Sequence, residues 1–407
     1  MPVAFREHVA PSGLRIIAEV DPAAHSAAAG FFVKTGARDE APPVMGVSHF
    51  LEHMMFKGTD TISAEDLNRR FDAMGARNNA YTSTELTCFY AHVIPERLAD
   101  ATELLSLMMR PALREEDFER EKQVILEEIA MYKDEPNWVL FEEALERHFR
   151  RHPMGHRVLG TTETITALQR DQMREYFDRR YSADNTVVAM AGRLDFDAAV
   201  AQVERLCRAW TPTRVGRDRA RPPAGAGPFE LRSEKVTRAY MIGLADAPAA
   251  DDPRRYAAVL LGQVLGASDN SRLHWALVEP GLAEEAQAGY DPHDGSGQFY
   301  VFASGDPDRA DEIWSVAMRE VEGLVASVTE DDLLRLRSKL ATGVTLGGER
   351  PADRMQRIGR HWTYHAAYTT LEEELDRINR VTLRDLREVY DAFPMTPATV
   401  GRLLPGA

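Results

Sequence analysis

Apolar residues come first in short runs: residues 13–20 (GLRIIAEV) and 27–33 (AAAGFFV), separated by Pro, Asp and His, predict two strands. The period then lengthens. Residues 49–56 read as a helix body, with Ser48 placed to cap it and Gly58-Thr59 placed to end it. Helical patterns recur over residues 64–74, 95–109 and 115–132. A strand-like stretch, 79–92, stands between the first two, and 187–192 reads as a further short strand.

Over residues 211–228 (TPTRVGRDRARPPAGAGP) periodicity disappears while Pro, Gly and Arg accumulate, the composition of an exposed linker. A chain of 407 residues is longer than one hydrophobic core usually supports. Two domains are therefore expected, 1–215 and 229–407. Their ends are alike: RDQMREYF from Arg170 precedes a strand and Gly192-Arg193-Leu194, and RDLREVY from Arg384 precedes a strand and Gly401-Arg402-Leu403. Such a repeat points to an internal duplication, each half an α+β unit with a mostly antiparallel sheet packed against helices.

Composition narrows the function. Apolar residues at 44% and charged residues at 28% are ordinary globular values, but a formal charge of −15 lacks the basic surplus that nucleic acid demands. An acidic surface favours basic peptides weakly, and more often serves solubility. Cys88 and Cys207 are too few for a disulfide framework and have no metal-ligand spacing, so both read as buried thiols. Neither a basic, then apolar, leader nor a long apolar span occurs, so a soluble cytoplasmic protein without a membrane anchor is expected.

The chemistry gathers at His49, Glu52 and His53, which share one face of a helix at spacings of three and four. Two imidazoles so placed can take two corners of a Zn2+ sphere, and the carboxylate between them can accept a proton from water beside the metal. Phe50, Leu51, Met54, Met55 and Phe56 place this helix in a core, where buried His and Glu need partners. A third ligand is wanted. The helix EREKQVILEEIAMY (119–132), with an apolar stripe of Val124, Ile125 and Ile129, offers Glu121, Glu127 and Glu128, and spacing does not choose among them.

His49-Phe-Leu-Glu52-His53-Met-Met-Phe-Lys-Gly-Thr, followed at a distance by Val-Ile-Leu-Glu-Glu-Ile, resembles the inverzincin pattern of the pitrilysin and mitochondrial processing peptidase family. The resemblance implies zinc held by His49, His53 and Glu128, with Glu52 as general base. It sets Glu121 as a second acidic residue supporting catalysis from beside the site. It also implies a zinc endopeptidase acting on peptide substrates inside one half of a clam-shell chamber, closed by a homodimer or by a related partner chain. Asn79, Ala80 and Tyr81, after Gly75-Ala76, match the family's edge strand, to which a peptide can add as another strand.

The match loosens in the second half. Where the family carries Ser-Arg-Leu and then Arg-Glu-x-x-Gly-Leu-Ala-Tyr, this chain has Ser271-Arg272-Leu273 and then Val278-Glu279-Pro280-Gly281-Leu282-Ala283-Glu284. The Arg and Tyr are replaced, and Glu284 sets a negative charge where an oxyanion prefers a donor. That half then serves as scaffold, and a partner chain carrying the Arg and Tyr would complete the site. His361 and His365 have helical spacing but no Glu in the base position, and read as structural. Two rival readings follow, a non-catalytic subunit of a larger complex and a zinc hydrolase of small molecules.

Overall fold

In the computed structural model, residues 3–222 and 225–406 are described, and Met1, Pro2, Ala407 and the linker residues Pro223 and Ala224 lie outside them. The first sheet contains β1 (Ala4–Val9), β2 (Arg15–Val20), β3 (Ala27–Val33), β4 (Arg77–Thr82), β5 (Thr87–Val93) and β6 (Thr186–Gly192). Its order is β1-β2-β6-β3-β5-β4, antiparallel throughout except for parallel β2–β6. The second contains β7 (Gly227–Ser233), β8 (Ala239–Asp246), β9 (Glu285–His293), β10 (Ser296–Gly305) and β11 (Thr399–Pro405). Its order is β7-β11-β8-β10-β9, with one parallel pair, β7–β11. Strand for strand this repeats β2-β6-β3-β5-β4, so the duplication covers every strand of the second sheet and all but β1 of the first.

The chain divides into two compact units: 1–129, 156–217 and 345–369 form one, while 130–155, 218–344 and 370–407 form the other. The main cut, between Arg217 and Asp218, falls within the expected linker. Two further segments belong with the sheet of the opposite half, one containing the helix Pro351–His365 and the other most of the chain around α5 (Pro136–Phe149; preceded by α1, Val47–Met55, α2, Ala64–Ala73, α3, Leu98–Met108, and α4, Glu115–Tyr132).

In the first unit β3 is buried on both faces, as its unbroken apolar run dictates. Ala28 and Phe32 meet Met355, Ile358 and Trp362 of the helix Pro351–His365, while Phe31 points the other way, its ring 5.9 Å from Trp210. The helix sits close because Gly359 has no side chain: a Cβ there would lie 2.3 Å from the Phe32 ring. In the second unit Leu140 and Ala144 of α5 cover Ile242, Leu244, Phe302 and Leu403. The alternate residues of that sheet, Met241, Phe299 and Val301, pack with Leu260, Leu261 and Ile313.

Some local expectations change. The stretch 79–92 is two strands, broken at Ser83, whose N–H donates to the Leu86 carbonyl at 2.8 Å and whose hydroxyl accepts the Leu86 N–H at 3.1 Å. Val124 is 43% exposed, so the buried stripe of α4 runs instead through Phe118, Glu121, Lys122, Ile125 and Ile129. The linker is not wholly exposed, for the Arg217 side chain is 3% exposed. Both cysteines are free and buried, and no helix among the described residues is long and apolar enough to cross a membrane.

Candidate metal centre

The helix that carries His49, Glu52 and His53 is started by tertiary contacts. Its N-cap is Gly46, at φ +94°, not Ser48, and a Cβ at Gly46 would lie 2.6 Å from the Leu159 carbonyl oxygen. The buried carboxylate of Glu40 accepts the Gly46 and Ser48 N–H groups, each at 2.7 Å, and so does the work of the cap. Burial pushes the Glu40 carboxyl up to about 8, against these hydrogen bonds. Ser48 turns inward to share a hydrogen bond of 2.7 Å with the Tyr176 hydroxyl.

Alpha-helix α1 meets α4 through Phe50 and Phe118, stacked at 4.7 Å with ring planes 10° apart. This contact sets the His face of one helix against the Glu face of the other. His49 Nε2 lies 3.8 Å and His53 Nε2 3.7 Å from Glu128 Oε2, and one ligand atom from each of the three falls within 4.8 Å of the others. Tetrahedral zinc bonds of about 2.0–2.1 Å put ligand atoms roughly 3.4 Å apart, so the donor set and its spacing suit that ion. Glu127 is exposed, and Glu121 meets the other ring nitrogen of His53, Nδ1.

Glu121 accepts from His53 Nδ1 at 2.8 Å and pairs with Lys57 Nζ at 2.5 Å. Burial pushes its carboxyl up, but the His53 and Lys57 hydrogen bonds outweigh burial and the net shift is down. An ionised carboxylate can only accept, so Nδ1 of His53 carries the proton in this contact, and a neutral His53 then has its Nε2 lone pair toward Glu128. Burial, reinforced by the neighbouring His53 ring, lowers His49 to about 3, which favours the neutral imidazole that a ligand must be. Burial raises Glu128, and it also raises Glu52 against the hydrogen bond from Thr82. That bond, Thr82 Oγ1 to Glu52 Oε2 at 2.6 Å, ties the carboxylate between the two histidines to the end of β4.

The expected substrate strand is β4, at the free edge of the sheet. Asn79 Oδ1 accepts the N–H of Ala80 at 2.9 Å, and the Tyr81 hydroxyl donates to Gln356 Oε1 at 2.9 Å. Tyr81 packs against the Met355 and Trp362 cluster, so main chain is what this edge has to offer. In the second half Arg272 is bound to the Ser327 carbonyl at 2.7 Å and to Asp332 at 2.9 Å, and Glu284 pairs with Arg238. His361 uses both ring nitrogens locally, at 2.9 Å to the Ala367 carbonyl and 3.3 Å to Thr369.

Three contributors escape a reading by spacing: Glu40, Lys57 and Thr82. Thr82 follows directly on the Asn79-Ala80-Tyr81 edge stretch, and that adjacency is the one signal the sequence offers. Glu40 and Lys57 carry none, because a buried cap and a salt bridge to a second helix exist only once the chain has folded.

The sequence matches a family profile described as "Insulinase (Peptidase family M16)" over residues 15–162, and one described as "Peptidase M16 inactive domain" over 167–340. An uncharacterized zinc protease of Mycobacterium tuberculosis is 34% identical, with 99% of this chain and 95% of the relative covered. One from Bacillus subtilis is 29% identical, with 93% of each covered. Among solved structures, a protease from Helicobacter pylori has a TM-score of 0.92 at 18% identity, covering 100% of both chains. A Pseudomonas fluorescens structure described as a peptidase M16 inactive domain has a TM-score of 0.89 at 17% identity, covering 100% of this chain and 98% of that one. With both halves matched and the relatives spanned almost end to end, the chain belongs to peptidase family M16.

Proposed function

We propose that this chain is a zinc-dependent endopeptidase that hydrolyses peptides or unfolded polypeptide segments, with Glu52 as general base. The observation that carries this is the convergence of His49, His53 and Glu128 within 4.8 Å, with the Glu52 carboxylate held on the same helix face by Thr82. The profile described as inactive begins at residue 167, after every member of this site. That favours an active subunit over a non-catalytic one.

His49 Nε2, His53 Nε2 and a Glu128 oxygen would hold the ion. Zinc held there would supply an acidified water and polarisation of the scissile carbonyl. Glu52 Oε2 is occupied by the Thr82 hydroxyl, leaving Oε1 to take the proton of the attacking water and later deliver it to the leaving amine nitrogen. Glu121 holds His53 in the ring orientation and tautomer that a ligand needs. The edge of β4 would take the substrate as an added strand, main chain to main chain, which fits an extended peptide better than a compact small molecule. Val278 and Glu284, where the family motif has Arg and Tyr, support pairing with a second chain, either a copy or a relative that carries those residues.

The test measures zinc per chain and cleavage of a quenched peptide library by the wild type and Glu52→Gln. The expected result is one zinc in both and a loss of several orders of magnitude in turnover for the variant. Full residual activity in a zinc-loaded Glu52→Gln protein would remove Glu52 from the reaction.

A further inference from the structure

Two buried acids near the site take no part in the chemistry above. Asp39 and Glu85 have side chains 1% and 2% exposed. Asp39 precedes Glu40, the cap of α1, and Glu85 lies in the turn that follows β4 and Thr82. The two segments touch through main chain: the Ala37 N–H reaches the Ser83 carbonyl at 3.3 Å and the Arg38 N–H reaches that of Thr84 at 2.8 Å.

One guanidinium spans both. Arg217 donates from Nε and Nη2 to the two Asp39 carboxylate oxygens at 3.1 and 2.5 Å, and from Nη2 to the Glu85 carbonyl at 2.5 Å. A guanidinium gives up hydration on burial and is retained where several acceptors meet it, and its planar fork is what lets one side chain bridge two segments. Arg217 is the last residue of the first unit before the chain passes to Asp218 in the second. The two segments it joins lead into Glu52 on one side and out of Thr82 on the other, and those residues share the 2.6 Å hydrogen bond that aims the base.

We propose that Arg217 is a positioning residue for Glu52, a latch by which the linker holds the β4 end and the start of α1 at the separation the Thr82–Glu52 hydrogen bond requires. This rests on the peptidase reading above. It makes the linker part of the catalytic apparatus without any contact to metal or substrate.

The variant Arg217→Met removes the bridge but leaves each acid a partner, Arg180 for Asp39 at 3.3 Å and Arg38 for Glu85 at 2.5 Å, so the fold is expected to survive. Arg217→Lys keeps the charge without the fork and carries the same test should the Met variant melt below assay temperature. Thr82→Val removes the hydroxyl itself. Zinc content, melting temperature, kcat and KM are measured on one quenched peptide, with Arg219→Ala as control, since Arg219 also makes linker ion pairs, to Asp251 and Asp294 at 2.5 and 2.6 Å, but from a half-exposed side chain away from Asp39 and Glu85.

Arg217→Met should keep its zinc and a KM within about twofold, but lose about 10²-fold in kcat, the cost of a misplacement on the order of 1 Å. Arg217→Lys should fall between, and Arg219→Ala should keep wild-type kcat. The double variant Arg217→Met with Thr82→Val should be no slower than the slower single one, because both break the same link. A folded, zinc-loaded Arg217→Met protein with wild-type kcat overturns the inference alone, as does a double variant whose losses multiply. A wild-type chain that binds zinc and cleaves nothing, alone or with a related chain carrying the Arg and Tyr, overturns the peptidase reading and takes this inference with it.

Discussion

Glu121 stands one layer behind the candidate ligands, and its replacement separates orientation of His53 from binding by Glu128. Its side chain is 6% exposed and serves two donors, His53 Nδ1 at 2.8 Å and Lys57 Nζ at 2.5 Å. Glu121→Gln keeps an acceptor oxygen for the His53 N–H but loses the charge that holds Lys57, whose 34% exposed side chain can return to water. Glu121→Ala removes the acceptor too, so His53 is free to rotate and to shift its proton to the nitrogen that should bind metal. Outer partners of metal-bound histidines are worth about 10-fold to 100-fold in affinity. The Gln variant belongs at the low end, about 1.4 kcal/mol, and the Ala variant at the high end, about 2.7 kcal/mol. Competition against a chromophoric chelator at fixed pH gives both constants, and denaturation of the metal-free proteins checks that the fold is intact. Equal losses in the two variants would mean that orientation contributes nothing, and no loss in either would mean that His53 is held by packing alone.

The remaining predictions fall on other parts of the structure. Glu128→Gln should cost more zinc affinity than Glu121→Ala, and Glu127→Gln should cost none, because only Glu128 approaches both Nε2 atoms; equal losses on chelator dialysis would place the ligand on the wrong face of α4. Gly359→Ala should lower stability by about 1–3 kcal/mol, since its methyl would meet the Phe32 ring, whereas Gly343→Ala, with nothing within 4 Å, should raise it by about 0.5–1 kcal/mol; urea titrations giving the reverse order would refute the packing argument. His148 is fully buried, at 3.0 Å from Thr399 Oγ1, and burial lowers its pKa from the ordinary 6.5. The unfolded chain therefore takes up the proton first, so the contribution of neutral His148 is complete above pH 6.5 and is lost as pH falls below it; a His148→Gln protein with an equally steep fall in stability from pH 6.5 to 5.5 would exclude this residue as the cause.

What could be read from the chain and what could not divides along the range of the forces involved. His49, Glu52 and His53 are legible because helical spacing alone brings them together, and the apolar residues between them say that the helix is buried. The choice among Glu121, Glu127 and Glu128 is not a matter of spacing, since each is on α4 and the selection comes from the Phe50–Phe118 stack that rotates one helix against the other. Ser48 fits the local rule for a cap, yet the helix starts earlier, at Gly46, and Glu40 reaches the Gly46 and Ser48 N–H groups there through a turn of the chain. The exchange of segments between units is invisible for the same reason. An amphipathic pattern in residues 136–149 or 351–365 declares that one face must be covered, and is silent on which sheet covers it.

The two halves also show how little of this fold is committed to chemistry. Apart from β1 the two sheets share one strand order, and in both the central strand, β3 or β8, leads into a buried helix. In the first half that helix is VSHFLEHMM, and in the second it is RYAAVLLGQVLG, Arg255–Gly266, without a histidine or a carboxylate. The helix that follows the β5 or β10 strand and its neighbour differs likewise: α4 offers Glu121 and Glu128 toward the histidines, while Glu330–Gly347 buries only Leu333 and Leu336. A metal site needs donors from both helices at once, because two imidazoles on one helix leave a tetrahedral ion short of a protein ligand. Losing either set is enough to empty a site while the sheet and its packing persist. The second half retains the scaffold on apolar residues alone, which is why a shared architecture carries no inference of activity there and the case for hydrolysis rests on the few side chains between His49 and Glu128.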